Sequence, residues 1–326
     1  MSPLYFQPLL KQIRWGGRRL GSVLGKPIGP EPDYAESWEL ADHGADQSVV
    51  ADGPLAGRTL HELVREHDQA LLGKHAGIPQ FPLLLKFLDC RDVLSVQVHP
   101  NDAQANEYQP GANGKTEAWV VIDAEPESQV FAGLKSGVTR GELQRALVDG
   151  SVQECLHAVE VQPGDCIFIP AGTVHAIGPG ILLAEVQQMS DLTFRLYDWG
   201  RLGTDGKPRD LHIDESLACT DFSRGPVTPV EPQPIERSET HRTDNLVTCP
   251  HFALQRHEVT STYEPQIDGR FHALMVLDGE GCLSCGHQTR PVSKGQSILV
   301  PASCDECSIT TPDSLTLLDA FLPDAA

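Results

Sequence analysis

Hydrophobic and polar positions alternate over short distances through most of the chain. Runs such as Leu94-Ser-Val-Gln-Val-His99, Ala118-Trp-Val-Val-Ile122, Cys166-Ile-Phe-Ile169, Thr193-Phe-Arg-Leu-Tyr197 and Ser297-Ile-Leu-Val300 are rich in β-branched and aromatic residues and separated by Gly, Pro, Asn and Asp. Short strands joined by turns produce that pattern. The spacing predicts a mainly β chain, a sandwich or barrel rather than βαβ units. Helical patterns are few. Thr59 to Leu72 has apolar positions Leu60, Leu63, Val64 and Leu71, Thr139 to Val148 has Leu143, Ala146 and Leu147 behind a Thr-x-x-Glu start, and a third short one follows Asp214. Each suits a helix lying over a sheet.

One strand unit occurs twice. Gly164-Asp-Cys-Ile-Phe-Ile-Pro-Ala171 and Gly295-Gln-Ser-Ile-Leu-Val-Pro-Ala302 share a Gly turn, a short apolar strand and a Pro-Ala exit, which predicts a repeated supersecondary unit. Between the copies, Pro226, Pro229, Pro232 and Pro234 remove backbone donors and disfavour both helix and central strand. We therefore expect two domains, residues 1–224 with helical insertions and residues 225–326, joined by a proline-rich linker at about 225–235.

A length of 326 residues accommodates two domains, and 40% hydrophobic with 21% charged residues is ordinary globular composition. Acidic residues outnumber basic ones 45 to 25, for a formal charge of -20. That balance speaks against nucleic acid or an anionic membrane as partner, while a few basic side chains in a cleft would still admit a small anion. The N-terminus lacks the charged and apolar regions of a leader, and no stretch approaches a membrane span, so a cytoplasmic location is expected. Nine scattered cysteines do not read as a secreted disulfide framework.

Three segments carry candidate chemistry. Strand alternation puts Ser95, Gln97 and His99 on one face and Val96 and Val98 on the other, and His99-Pro-Asn-Asp102 ends that strand in a turn. In Gly114-Lys-Thr-Glu117, Lys115 and Glu117 share a face at the start of an apolar strand. They are either a surface pair of little value or a cation beside a metal-binding carboxylate. The third, Gly164-Asp-x4-Pro170-x-Gly172-x2-His175, is the most specific signal and resembles the second motif of the cupin jelly rolls, whose Pro-Gly corner aims a terminal His into the barrel. Gln97, His99, Glu117 and His175 together offer two imidazoles, a carboxylate and an amide oxygen, an open set suited to zinc. Arg195, flanked by Phe194 and Leu196, needs an anion, for which Asp191 is near enough in sequence and a ligand phosphate is the other option.

With these pieces the chain resembles the type I mannose-6-phosphate isomerases in their short bacterial form. The resemblance runs in order through Trp15-Gly-Gly, Glu36-Ser-Trp-Glu39, Phe81-Pro-Leu-Leu-Leu-Lys86, Ser95 to Asp102, Gly114 to Glu117, Pro170 to His175 and Ser190-Asp-Leu-Thr-Phe-Arg195 to Arg201. It implies two cupin-type β jelly rolls, one zinc per chain on Gln97, His99, Glu117 and His175, and a sugar phosphate surrounded by Arg195, Lys115, Ser95, Lys86 and Asp191. Lys115 and Asp191 both remain candidates for the proton-transferring base.

The C-terminal roll reads as a non-catalytic copy, because the position matching His175 is Glu306 and the segment before Gly279 has only His272. Cys282-x2-Cys285 and Cys304-x2-Cys307 have the spacing of a zinc ribbon. Strand phase points Cys282 and Cys285 to opposite faces, however, and favours buried free thiols. Two other readings compete with the isomerase. An iron-dependent cupin oxygenase would be expected to carry His-x-His where this chain has Gln97-x-His99. A sugar-binding or regulatory cupin without turnover would not need Lys115, Asp191 and Arg195 intact.

Overall fold

A computed structural model describes residues 1–202, 206–286 and 288–324. The chain forms two compact units, one of residues 14–17 and 88–230, the other of residues 1–13, 18–87 and 231–326. Residues 18–87 therefore group with the C-terminal part, where a linear boundary at 224 places them in the first domain. Strand pairing gives the reason. Leu4–Gln7 runs antiparallel to Ser297–Val300, with Leu4 opposite Leu299, and also pairs with Val49–Val50.

The unit of residues 88–230 is a two-sheet sandwich. One sheet has five antiparallel strands in the order Leu156–Glu160, Gln129–Leu134, His175–Ile177, Val96–Val98, Phe194–Tyr197. In the other, Glu117–Ala124 lies between Cys166–Ile169 and Ile181–Gln188. Val96, Val98, Val174, Ala176 and Leu196 pack in one cluster with Leu143 and Ala146 of the helix Arg140–Asp149 and Leu217 of the helix Ile213–Cys219. Each such fully buried Leu or Val contributes roughly 1.5–3 kcal/mol. The longer helix begins where its Thr-x-x-Glu signal predicts, in a capping box of Thr139 and Glu142. Since Val96 and Val98 face these helices, Gln97 projects from the opposite side, toward the second sheet.

In the other unit, the helix Leu60–Leu72 is capped by Thr59 and Glu62 and buries Leu60, Leu63, Val64, Leu71 and Leu72. Its C-terminal strands form a jelly roll around the 14-residue strand His272–Cys285. That strand pairs first with Ser297–Val300 and Leu315–Phe321, then with Gln288–Ser293 and Cys307–Thr310. The predicted repeat is present. Cys166–Ile169 and Ser297–Val300 are both four-residue strands, each entered through a glycine with positive φ, Gly164 at 94° and Gly295 at 84°. Among the described residues no helix is long and apolar enough to cross a membrane.

Candidate metal centre

Ala132, His175, Gln97 and Arg195 lie directly opposite one another across four adjacent strands, so their side chains share a sheet face. Glu117 comes from the facing sheet, where it opposes Gln187 and Ile169. His99 Nε2 is 3.5 Å from Glu117 Oε2, and His175 Nε2 is 3.4 Å from Glu117 Oε1. One donor atom from each of His99, Glu117 and His175 falls within 4.8 Å of the others, and all three residues are buried. Gln97 Nε2 is 3.2 Å from His175 Nε2; a half-turn of the amide presents its oxygen to the same point.

Local backbone chemistry fixes these positions. Gly172 has φ of 86°, donates its N–H to the His99 carbonyl at 2.8 Å, and sits where a Cβ would be 3.1 Å from the Cys219 carbonyl oxygen. That corner returns the chain so that His175 enters the sheet beside Gln97. Asn101 caps the helix Asp102–Tyr108. Asp102 accepts from Gly114 N–H at 2.7 Å and Gln188 Nε2 at 2.9 Å, and Lys115 N–H donates to the Pro100 carbonyl at 3.1 Å. The turn after His99 and the approach to Glu117 are thereby tied together.

The electrostatics suit a cation. His99 Nδ1 is 3.1 Å from the Leu192 carbonyl and His175 Nδ1 is 2.9 Å from the Thr173 carbonyl. A carbonyl only accepts, so each Nδ1 carries a proton and each Nε2 turns toward Glu117. Burial holds the His175 pKa down to about 4, with the Thr173 carbonyl opposing and Lys115 assisting, so the imidazole is neutral. Lys115 Nζ lies 3.0 Å from Glu117 and 3.8 Å from Glu185. Burial disfavours its charge, but Glu117, Glu185 and Asp191 together raise its pKa and keep it an ammonium. Two imidazoles, a carboxylate and an amide at a buried point fit a divalent cation with room for further ligands.

The sequence profile of the phosphomannose isomerase type I catalytic domain matches residues 4–131, and that of the mannose-6-phosphate isomerase cupin domain matches residues 242–316. The chain is 38% identical over 304 residues to mannose-6-phosphate isomerase ManA of Bacillus subtilis, covering 93% of this chain and 94% of that one. This chain belongs to the type I phosphomannose isomerases. It is 34% identical over 300 residues to the mannose-6-phosphate isomerase of Streptococcus mutans, 92% of each chain. Among solved structures, the mannose 6-phosphate isomerase of Bacillus subtilis superposes with a TM-score of 0.91 at 31% identity, over 98% of this chain and 99% of that one. A putative mannosephosphate isomerase from Archaeoglobus fulgidus shares the fold, with a TM-score of 0.77 at 24% identity over 99% of each chain.

Within this phosphomannose isomerase the remaining predicted residues separate. Asp191 is exposed and does not serve as the partner of Arg195. The guanidinium instead donates from Nη1 to the Asp210 carbonyl at 3.0 Å, and its Nε is buried with no hydrogen-bond partner among the described residues. Burial and the nearby Arg209 and Arg201 cations oppose its charge, and Asp198 and Asp210 offset them only in part. Ser95 is buried immediately before the strand Val96–Val98. Lys86 lies in the other unit, with Nζ 3.5 Å from Glu36 and over the Trp38 ring. Two neighbours escaped the sequence reading: Glu185, buried beside Lys115, and Trp119, whose ring meets His175 edge-on at 5.4 Å. An acidic residue inside the apolar run Leu183-Ala-Glu-Val186 was the available signal for the first.

Proposed function

We propose that this chain interconverts mannose 6-phosphate and fructose 6-phosphate, with one zinc held by Gln97, His99, Glu117 and His175 and with Lys115, Asp191 and Arg195 serving catalysis. The observation that carries this reading is the buried convergence of His99, Glu117 and His175 beside an ammonium 3.0 Å from the same carboxylate. Exchange of an aldose with a ketose moves a proton between C1 and C2, so negative charge develops on sugar oxygens while one group removes and returns the proton. Zinc, when bound, supplies Lewis acidity for those oxygens.

The chain's own groups account for the rest. Lys115 is fixed from two sides by Glu117 and Glu185, and Asp191 is close enough to act on its charge; the proton is exchanged by one of the pair Lys115 and Asp191. Arg195, opposite Gln97 in the sheet, is suited to the phosphate, since a guanidinium offers paired donors to an oxyanion. Ser95, two residues before Gln97, is suited to the sugar. The test is turnover of both sugar phosphates before and after chelation, with zinc restored and His175→Ala alongside. Chelator-sensitive activity that zinc returns to wild type and not to the variant is expected. Folded, zinc-loaded protein inert toward both sugars would overturn the proposal.

A further inference from the structure

A cluster of thiols lies in the C-terminal jelly roll, in the unit that does not contain the candidate metal centre. Cys285 ends the strand His272–Cys285, Cys304 sits in the turn after Ser297–Val300, and Cys307 opens the next strand directly opposite Cys285. The Sγ atoms of Cys285 and Cys304 are 3.1 Å apart. A zinc ribbon is not what this geometry describes. Sulfurs around a tetrahedral zinc at about 2.3 Å are roughly 3.8 Å from one another, and Cys282, the fourth member of the sequence pattern, is exposed.

We propose that Cys285 and Cys304 are a redox modification site, converted by hydrogen peroxide into a disulfide that ties the end of the strand His272–Cys285 to the turn after Ser297–Val300. Cys285 is the entry point, because it lines a cavity of about 420 Å³ with Met1, Ser303, Asp305 and Glu306 whereas Cys304 is buried. The lining sets the Asp305 and Glu306 carboxylates beside the Met1 ammonium, and its volume of about 420 Å³ admits a small neutral peroxide. The Cys285 sulfur attacks one peroxide oxygen, the O–O bond breaks, and the departing hydroxide leaves as water with the thiol proton. Cys304 then attacks the sulfur of the resulting sulfenic acid, the S–O bond breaks, and a second water leaves with the Cys304 proton. Two thiols lose two electrons and the peroxide becomes two waters. Burial and the neighbouring thiol raise the Cys285 pKa to about 12, so the first step is slow. A second sulfur already in contact then traps the sulfenic acid before further oxidation.

The test treats full-length protein with hydrogen peroxide, blocks remaining thiols, and reads intact mass and tryptic peptides. Peptides 271–294 and 295–326 should become joined, with loss of two titratable thiols reversed by a dithiol. Cys285→Ser and Cys304→Ser should each abolish the joined species, while Cys282→Ser and Cys307→Ser should keep it. Wild type that retains all its thiols, a sulfinic acid at Cys285 without a cross-link, or a cross-link that needs Cys282 or Cys307 would each overturn the assignment.

Discussion

Each unit buries a cluster of imidazoles and carboxylates inside a β sandwich, and the two clusters spend their nitrogen atoms differently. In residues 88–230, His99 and His175 give Nδ1 to backbone carbonyls and converge with Nε2 on Glu117. In the C-terminal roll, His272 Nδ1 is 2.8 Å from Asp319 and its Nε2 is 3.4 Å from Asp268. His257 is likewise enclosed, with Nδ1 near Thr243 and His241 and Nε2 3.2 Å from Tyr263 Oη. The first arrangement leaves lone pairs pointing at one place, and the second closes on itself. Composition does not distinguish a candidate metal centre from a structural polar network; the partner of each second nitrogen does.

The contrast is tested most severely by removing one imidazole from each cluster. His175→Ala should strip the metal and lower turnover by about 10³-fold or more, since a bound ion supplies several kcal/mol of transition-state stabilisation and each 1.36 kcal/mol is tenfold. Metal content and kcat measured on the same preparation check this. His272→Ala leaves the buried Asp319 carboxylate without its cation and should cost about 3–5 kcal/mol in urea unfolding while kcat at 25 °C is kept. A His272→Ala variant that folds as well as wild type but no longer turns over would erase the distinction.

A smaller effect is visible in the pH dependence of stability. Burial disfavours the His272 cation, yet Asp319 and Asp268 more than compensate and raise its pKa from 6.5 to about 9. A pKa raised on folding means that the native state holds the proton more tightly. The contribution is therefore complete below about pH 6.5 and is lost as pH rises through about 9, worth roughly 3 kcal/mol in all. Urea midpoints between about pH 6 and pH 10 should fall along that course, and Asp319→Asn should flatten it. An unchanged slope in the variant would move the effect to another group.

How much of this the sequence disclosed follows from how local each signal is. His99, Glu117 and His175 each sit beside a turn with its own residue pattern, and alternation sets the faces of Gln97, His99 and His175 because Val96, Val98, Val174 and Ala176 on the opposite face pack under helices. Glu185 was passed over because Ile181–Gln188 is buried at all eight positions, which removes the alternation. The second cluster had no motif: His241, His257, His272 and Asp319 come from four strands at irregular spacing, and only His272 attracted notice. Nor does the pattern of Leu4–Gln7 say which sheet receives it, so the pairing with Ser297–Val300 had to come from the structure. The ribbon-like cysteine spacing was resolved by strand phase, which separates exposed Cys282 from half-buried Cys285.

Arg195 sharpens the comparison at the level of a single cation. In the C-terminal unit Arg270 is 2.6 Å from Asp268, and Arg242 and Arg256 share Asp244, so each charge is answered by a carboxylate. Arg195 makes no carboxylate ion pair within 4 Å among the described residues; it donates to the Asp210 carbonyl, and the Asp198 and Asp210 carboxylates act on its charge only from farther off. A cation left that way is stabilised when an anion arrives, and hydrogen bonds to a charged partner are worth about 1.5–3 kcal/mol. Arg195→Ala should accordingly lower kcat/KM for mannose 6-phosphate by roughly 10- to 100-fold, mainly through KM, with metal content unchanged. Arg195→Lys should restore only part, because an ammonium offers a point charge and not a fork. If both variants keep the wild-type KM, the phosphate is held elsewhere and Arg195 serves the fold, which a lower urea midpoint in both would show.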